Sequence, residues 1–207
     1  IQLLDLSGDK KVIMVTSSVP KEGKTTVSIN LAFAMGQIGK TLLIDTDLRK
    51  PAIAKRFGMP GFQPGIANLV SGTHSLDECL CNDVASNIDV ITAGSATPNP
   101  QELLMSDNFK KVIKHLREQY EHIIIDTAPI QAVSDAIIVS ESADMLFHVV
   151  KADATNEKIV SSGLERFMRV GKRIDGVILN QVDVKKAGNG YAYTGYYDKY
   201  GYGSETS

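Results

Sequence analysis

Short runs rich in β-branched and aliphatic residues alternate along the chain with stretches in which apolar side chains recur at helical spacing. Six runs read as strands: Val12 to Thr16, Thr41 to Asp45, Ile88 to Thr92, His122 to Asp126, Met145 to Val150 and Gly176 to Leu179. Between them Phe109, Val112, Ile113, Leu116 and Tyr120 fall on one helical face, as do Val160, Leu164, Phe167, Met168 and Gly171. Lys24 to Ile38 is apolar on nearly every face, which predicts a helix buried against a sheet and stopped by Gly39. Strands alternating with helices predict an α/β fold, a mostly parallel sheet flanked by helices, over residues 1–188. The last stretch, 189–207, differs in kind. It carries six of the seven tyrosines, interleaved with glycines and without aliphatic residues, so it cannot build a core and is expected to be a flexible tail.

Composition narrows the classes. With 207 residues and 43% of them hydrophobic, the chain has material for one large domain, and global disorder is excluded. A net charge of -2 argues against a general binder of nucleic acid or anionic membranes. No uncharged apolar run approaches the ~18 residues that cross a bilayer, and no signal peptide is read. Cys79 and Cys81 form a lone C-x-C, too few thiols for a zinc site and too close for a good disulfide, so reduced thiols in a reducing compartment are expected. The first residue is Ile1 rather than Met, which points to a fragment of something longer.

The chemistry begins after the first strand, with Ser18-Val19-Pro20-Lys21-Glu22-Gly23-Lys24-Thr25-Thr26. This fits the phosphate-loop pattern, with Ser18 in place of the leading glycine. Backbone N–H groups at such a loop-to-helix junction point at phosphate oxygens and add the helix dipole. Lys24 neutralises charge between the β- and γ-phosphates of ATP, and the Thr25 hydroxyl ligates Mg²⁺. Two more strands end in acids: Leu42-Leu-Ile-Asp45-Thr-Asp47-Leu-Arg49, and Ile123-Ile-Ile-Asp126-Thr-Ala-Pro129. Aspartates there could serve as helix caps, but in an open α/β sheet ligands bind at the carboxyl ends of strands, so the three motifs converge on one crevice.

Taken together, these motifs resemble the bacterial tyrosine kinases (BY-kinases), the Wzc-like kinase domains of polysaccharide export. The resemblance rests on D-x-D-x-R followed by Lys50-Pro51, on Gly65-Ile-Ala-Asn-Leu-Val-Ser-Gly72, and on Pro98-Asn-Pro-Gln-Glu-Leu-Leu104. It rests also on Asp126-Thr-Ala-Pro129, Asp135-Ala136, Gly176-Val-Ile-Leu-Asn180 and the tyrosine cluster. It implies transfer of the ATP γ-phosphoryl, with Mg²⁺, to the tail tyrosines Tyr191, Tyr193, Tyr196, Tyr197, Tyr200 and Tyr202, chiefly in trans. It implies that Asp47 and Asp126 bind Mg²⁺ and that Asn180 contacts adenine. Asp45 then either orients or deprotonates the tyrosine hydroxyl or supports the Mg²⁺ shell, and Arg49 either stabilises γ-phosphate charge or holds the carboxylates. Also implied are a ring of like subunits, a transmembrane activator domain, fused or separate, a cognate phosphatase, and a place on the cytoplasmic face of the bacterial inner membrane. Nucleic acid is not an expected partner, since the tail offers only Lys199 among its aromatics.

The chain departs from the family in two places. Ala128 stands where D-T-P-P is usual, and nothing between Ile1 and Lys11 matches the E-x-x-R-x-x-R helix used in ring packing, so the chain is expected to begin just after it. Two other functions stay open at this point. A partition-type ATPase shares the sheet, although its signature lysine is replaced here by Val19, and a nucleotide-gated assembly module would bind ATP without transferring phosphate. Lys50, Lys55 and Arg56 form a basic cluster, either a solvated helix face or a surface that holds an acidic or phosphorylated tail. His74, His115, His122 and His148 show no metal-ligand or triad spacing and receive no chemical role.

Overall fold

A computed structural model describes residues 10–59, 62–83 and 87–183. Among the described residues seven strands form one sheet: β1 (Val12–Ser17), β2 (Thr41–Asp45), β3 (Leu80–Asp83), β4 (Ile88–Ile91), β5 (His122–Asp126), β6 (Met145–Lys151) and β7 (Gly176–Asn180). Their spatial order is β3-β4-β2-β5-β1-β6-β7. Every pairing is parallel except β3 with β4, so the α/β expectation of a mostly parallel sheet flanked by helices holds.

Residues of β1 alternate between two cores, as the period of a strand requires. Val12 and Met14 point into one, Ile13 and Val15 into the other. The second is closed by α1 (Lys24–Gly36) through Ile29, Ala32 and Met35, with the one-turn helix α2 (Ile53–Arg56) beside it. The first is closed by α3 (Ile66–Ser71), α4 (Leu76–Cys79), α5 (Pro100–Met105), α6 (Asp107–Gln119), α7 (Asp135–Val139) and α8 (Glu157–Arg169). Phe109, Ile113 and Leu116 of α6 are the predicted helical face, and Phe167 anchors α8. Ser106 caps α6 by accepting from Phe109 N–H, and Asn156 caps α8 by accepting from Lys158 N–H.

Three expectations need correction. On α8 the predicted face holds at Phe167, but Met168 is exposed and Gly171 lies beyond the end of the helix. The edge strand β3 is absent from the sequence reading because Leu-Cys-Asn-Asp carries no β-rich run; pairing with β4 imposes its extended form. Its neighbourhood holds Cys79 and Cys81, both free, with burial raising both thiols. Helix α1 ends at Gly36 rather than running to Ile38. The N–H groups of Ile38 and Gly39 both donate to the Met35 carbonyl, and Ile38 is exposed. The boundary between domain and tail, at 188/189, and the tyrosines Tyr191 to Tyr202 lie outside the described residues.

Gly65 marks a close approach of backbones. Ile66 N–H donates to the Thr92 carbonyl at 2.8 Å, and a Cβ on Gly65 would stand 2.1 Å from that same oxygen. Gly65→Ala is therefore expected to destabilise the fold by about 1–3 kcal/mol, read as a lower urea midpoint with an unchanged slope.

Candidate active site

β1 ends at Ser17, and the chain turns through residues 18–23 into α1. Gly23, at the N-cap, has φ 93°, a left-handed conformation that glycine adopts without strain. No side chain caps α1, so its first N–H groups face the loop, as binding of phosphate oxygens requires.

The loop is held from behind by a network the sequence did not disclose. Glu22 is buried, and its carboxylate accepts from Val19 N–H at 2.7 Å, Thr155 Oγ1 at 2.5 Å and Lys151 N–H at 3.3 Å. Asn180 Nδ2 donates to the Glu22 carbonyl at 2.8 Å, and Gln181 Nε2 to the Lys21 carbonyl at 3.2 Å. The predicted loop residues and Asn180 are thus brought together at the ends of β1, β6 and β7. Ser18 Oγ lies 2.9 Å from Nε2 of His148, whose ring is fully buried and kept neutral by burial. His148, set aside in the sequence, packs against the loop's first residue because β6 lies next to β1.

On the other side of β1, β5 and β2 bring up the acids. Their register sets Asp45 opposite Asp126. The Asp126 carboxylate is fully buried and accepts from Thr25 Oγ1 at 2.7 Å, Ser28 Oγ at 3.0 Å and Lys24 Nζ at 3.4 Å. Lys24 Nζ also reaches Asp47 Oδ2 at 3.1 Å. Ser28 was missed, although its place one turn after Lys24 is the signal that would have found it. Thr25, Asp47 and Asp126 make a small set of hard oxygen donors. That set suits Mg²⁺, which takes one or two carboxylates and completes its shell with water and phosphate oxygens.

Asp45 is turned away from the crevice. Its carboxylate accepts from the N–H groups of Asp47, Ala52 and Ile53, each at 3.1 Å, and so fastens the loop that carries Asp47 and Arg49. The Arg49 guanidinium donates to both carboxylate oxygens of Asp135, at 2.8 and 3.2 Å. The cleft in front of these groups measures about 260 Å³ and includes Lys24, Thr25, Asp47, Arg49, Lys50 and Arg56 in its wall.

Burial and the facing Asp126 charge push the Asp45 carboxyl up to about 7, against the pull of the Ile53 and Ala52 N–H groups and of Lys24. Burial also raises Asp126, opposed by Lys24, Thr25 and Ser28. Burial works against the Lys24 ammonium, but the charges of Asp126 and Asp47 more than restore it.

These shifts have a direction in pH. An ordinary aspartate loses its proton near pH ~4, whereas the folded protein keeps one on Asp45 until about 7. The folded state therefore binds more protons across that window, and nucleotide-free protein should lose stability as pH rises through it. Urea midpoints taken across the window should show a shallower decline for Asp45→Asn. An unchanged slope would mean that the three N–H donors keep Asp45 ionised throughout.

Known proteins share this fold and much of this sequence. The model of the AAA domain family matches residues 10–183. The tyrosine-protein kinase CpsD of Streptococcus pneumoniae is 38% identical over 200 residues, covering 96% of this chain and 87% of that protein. The crystal structure of the VpsO kinase domain superposes with a TM-score of 0.84 at 46% identity, covering 88% of this chain and 90% of the other. The septum site-determining protein MinD of Pyrococcus horikoshii, solved with Mg-ADP, has a TM-score of 0.67 at 23% identity, covering 82% of this chain and 69% of its own. At that identity the likeness is one of fold alone.

Proposed function

The chain belongs to the bacterial tyrosine kinase family, and from that premise we propose that it transfers the γ-phosphoryl group of ATP to tyrosine hydroxyls, chiefly those of Tyr191 to Tyr202 on a second copy of itself. The observation that carries this reading is the convergence of Lys24, Thr25, Asp47 and Asp126 beside an uncapped helix N-terminus. The same chain supplies six tyrosines within twelve residues of one another. The partition-type reading has only a likeness of fold behind it.

The residues divide the work as follows. The loop N–H groups and the start of α1 bind the β- and γ-phosphate oxygens, and Lys24 neutralises charge between them. Thr25 and Asp47, with Asp126 behind them, would hold Mg²⁺, which would supply further neutralisation of phosphate charge. The tyrosine oxygen forms its bond to the γ-phosphorus as the bond to the β–γ bridging oxygen breaks, and ADP leaves. The hydroxyl proton goes to solvent, late in a loose transition state that asks little of a base. Asp45, with both oxygens engaged by backbone N–H groups, acts as a positioning residue for Asp47 rather than as that base. Arg49, paired with Asp135, ties the same loop to α7. Asn180 closes the loop from the nucleobase side through Glu22.

Around the catalytic chain we place a ring of like subunits, a transmembrane activator, a cognate phosphatase and a role in polysaccharide export at the inner membrane. Among the described residues no helix is long and apolar enough to cross a membrane.

Incubation with labelled Mg·ATP followed by mass-spectrometric mapping tests the reading directly. Phosphotyrosine should appear within residues 191–202, and Lys24→Met should reduce its rate by about 100-fold or more, with circular dichroism used to separate lost chemistry from lost fold. ATP hydrolysis without phosphotyrosine would instead support the partition-type reading, and ATP binding without turnover the assembly module. Asp47→Asn and Asp126→Asn should raise the Mg²⁺ concentration for half-maximal rate. Asp45→Asn should lower the rate with a smaller effect on that concentration.

A further inference from the structure

A second cavity, of about 230 Å³, opens beside the reaction cleft between α1 and α2. Its lining is mixed in a telling way. Ile29 and Phe33 of α1 and Phe57 after α2 make apolar walls, with the two phenyl rings 5.9 Å apart and inclined at 43°. Thr26 and Asn30 supply polar groups, and Arg56 stands at the boundary. Arg56 also lines the reaction cleft, so one residue is shared by both cavities. Lys55 joins it on the outer surface of α2, and Lys50 lines the cleft.

The charge of this cluster is unspent. Lys24 and Arg49 are paired with Asp47, Asp126 and Asp135, whereas among the described residues no carboxylate lies within ion-pair reach of Lys50, Lys55 or Arg56. An aromatic-walled cavity with an arginine at its edge suits an aryl group that bears an anion. The product of the proposed reaction is such a group.

We propose that this cavity is an acceptor subsite, which holds a phosphotyrosine already made on the segment 191–202 of a second copy while a neighbouring tyrosine of that segment occupies the cleft. The inference rests on the kinase reading and deepens it. Successive tyrosines in the segment are one to three residues apart: Tyr191, Tyr193, Tyr196, Tyr197, Tyr200 and Tyr202. An extended chain advances ~3.3–3.6 Å per residue, so two or three residues span about 7–10 Å, a reach suited to two cavities that share one wall. A second copy supplies the segment, as in the transfer in trans proposed above. Retention of one phosphotyrosine beside the cleft presents the next tyrosine, which gives modification of several tyrosines in one encounter.

The test measures binding rather than turnover. The full chain is loaded with saturating Mg·ADP, which fills the phosphate loop and permits no transfer. Two fluorescent peptides copying residues 191–202 are then compared by anisotropy, one unmodified and one phosphorylated at Tyr197. The phosphopeptide should bind about tenfold more tightly, the worth of one charge-assisted hydrogen bond. Arg56→Gln should abolish that advantage, and Asn30→Trp, at an exposed position, should weaken the phosphopeptide by filling the cavity. Equal binding of the two peptides, or an advantage that survives both substitutions, overturns the subsite. Failure of the kinase reading would show separately, as absence of phosphotyrosine after incubation with Mg·ATP while phosphopeptide binding persists.

Discussion

The site depends on one buried charge. Asp126 sits at the end of β5 with no exposed surface, and a carboxylate in that position is tolerated only when its lone pairs are met. Thr25, Ser28 and Lys24 meet them, all from the first turns of α1. The requirement works in both directions. It fixes α1 over β5, and it holds the Thr25 hydroxyl and the Lys24 ammonium at the place where phosphate and magnesium are to be handled. Loss of one partner would leave charge uncompensated in the middle of the sheet, so structure and chemistry share the same atoms.

Around that charge the phosphate loop is secured twice. Glu22 ties it to β6 and the turn after it, and Asn180 and Gln181 tie it to β7. On the opposite flank Asp45 and the Arg49–Asp135 pair secure the loop after β2. Lys24 and Asp47 are thereby held in place at the loop before any ligand arrives, and such preorganisation is the condition under which electrostatic stabilisation of a transition state is most effective. The second cavity extends the same logic outward, from the phosphate being transferred to the phosphate just delivered.

Much of this was legible in the residue order. Lys24, Thr25 and Asp126 could be assigned to a crevice because a phosphate loop needs a strand before it and a buried helix after it, and strands ending in aspartate deliver their side chains to one edge of a parallel sheet. The six main strands followed from local runs, and the amphipathic face of α6 from its spacing. Where local signals were weak the reading failed. β3 has no strand composition of its own, and α1 ends two residues before Ile38, with the Ile38 and Gly39 N–H groups both turned to the Met35 carbonyl.

What residue order alone determined, then, is the set of groups available and the elements that carry them: a phosphate-loop pattern, acids at the ends of strands, and a cluster of tyrosines. Tertiary structure decided which partner each group meets. Asp45 and Asp47 are two residues apart, yet one is spent on backbone N–H groups and the other faces the cleft, because the turn after β2 folds back on itself. Glu22 and Thr155, Arg49 and Asp135, and Ser18 and His148 are more than eighty residues apart in the chain and meet only through the order of the strands. Local pattern records what a side chain can do; the sheet, by choosing its neighbours, sets what it does.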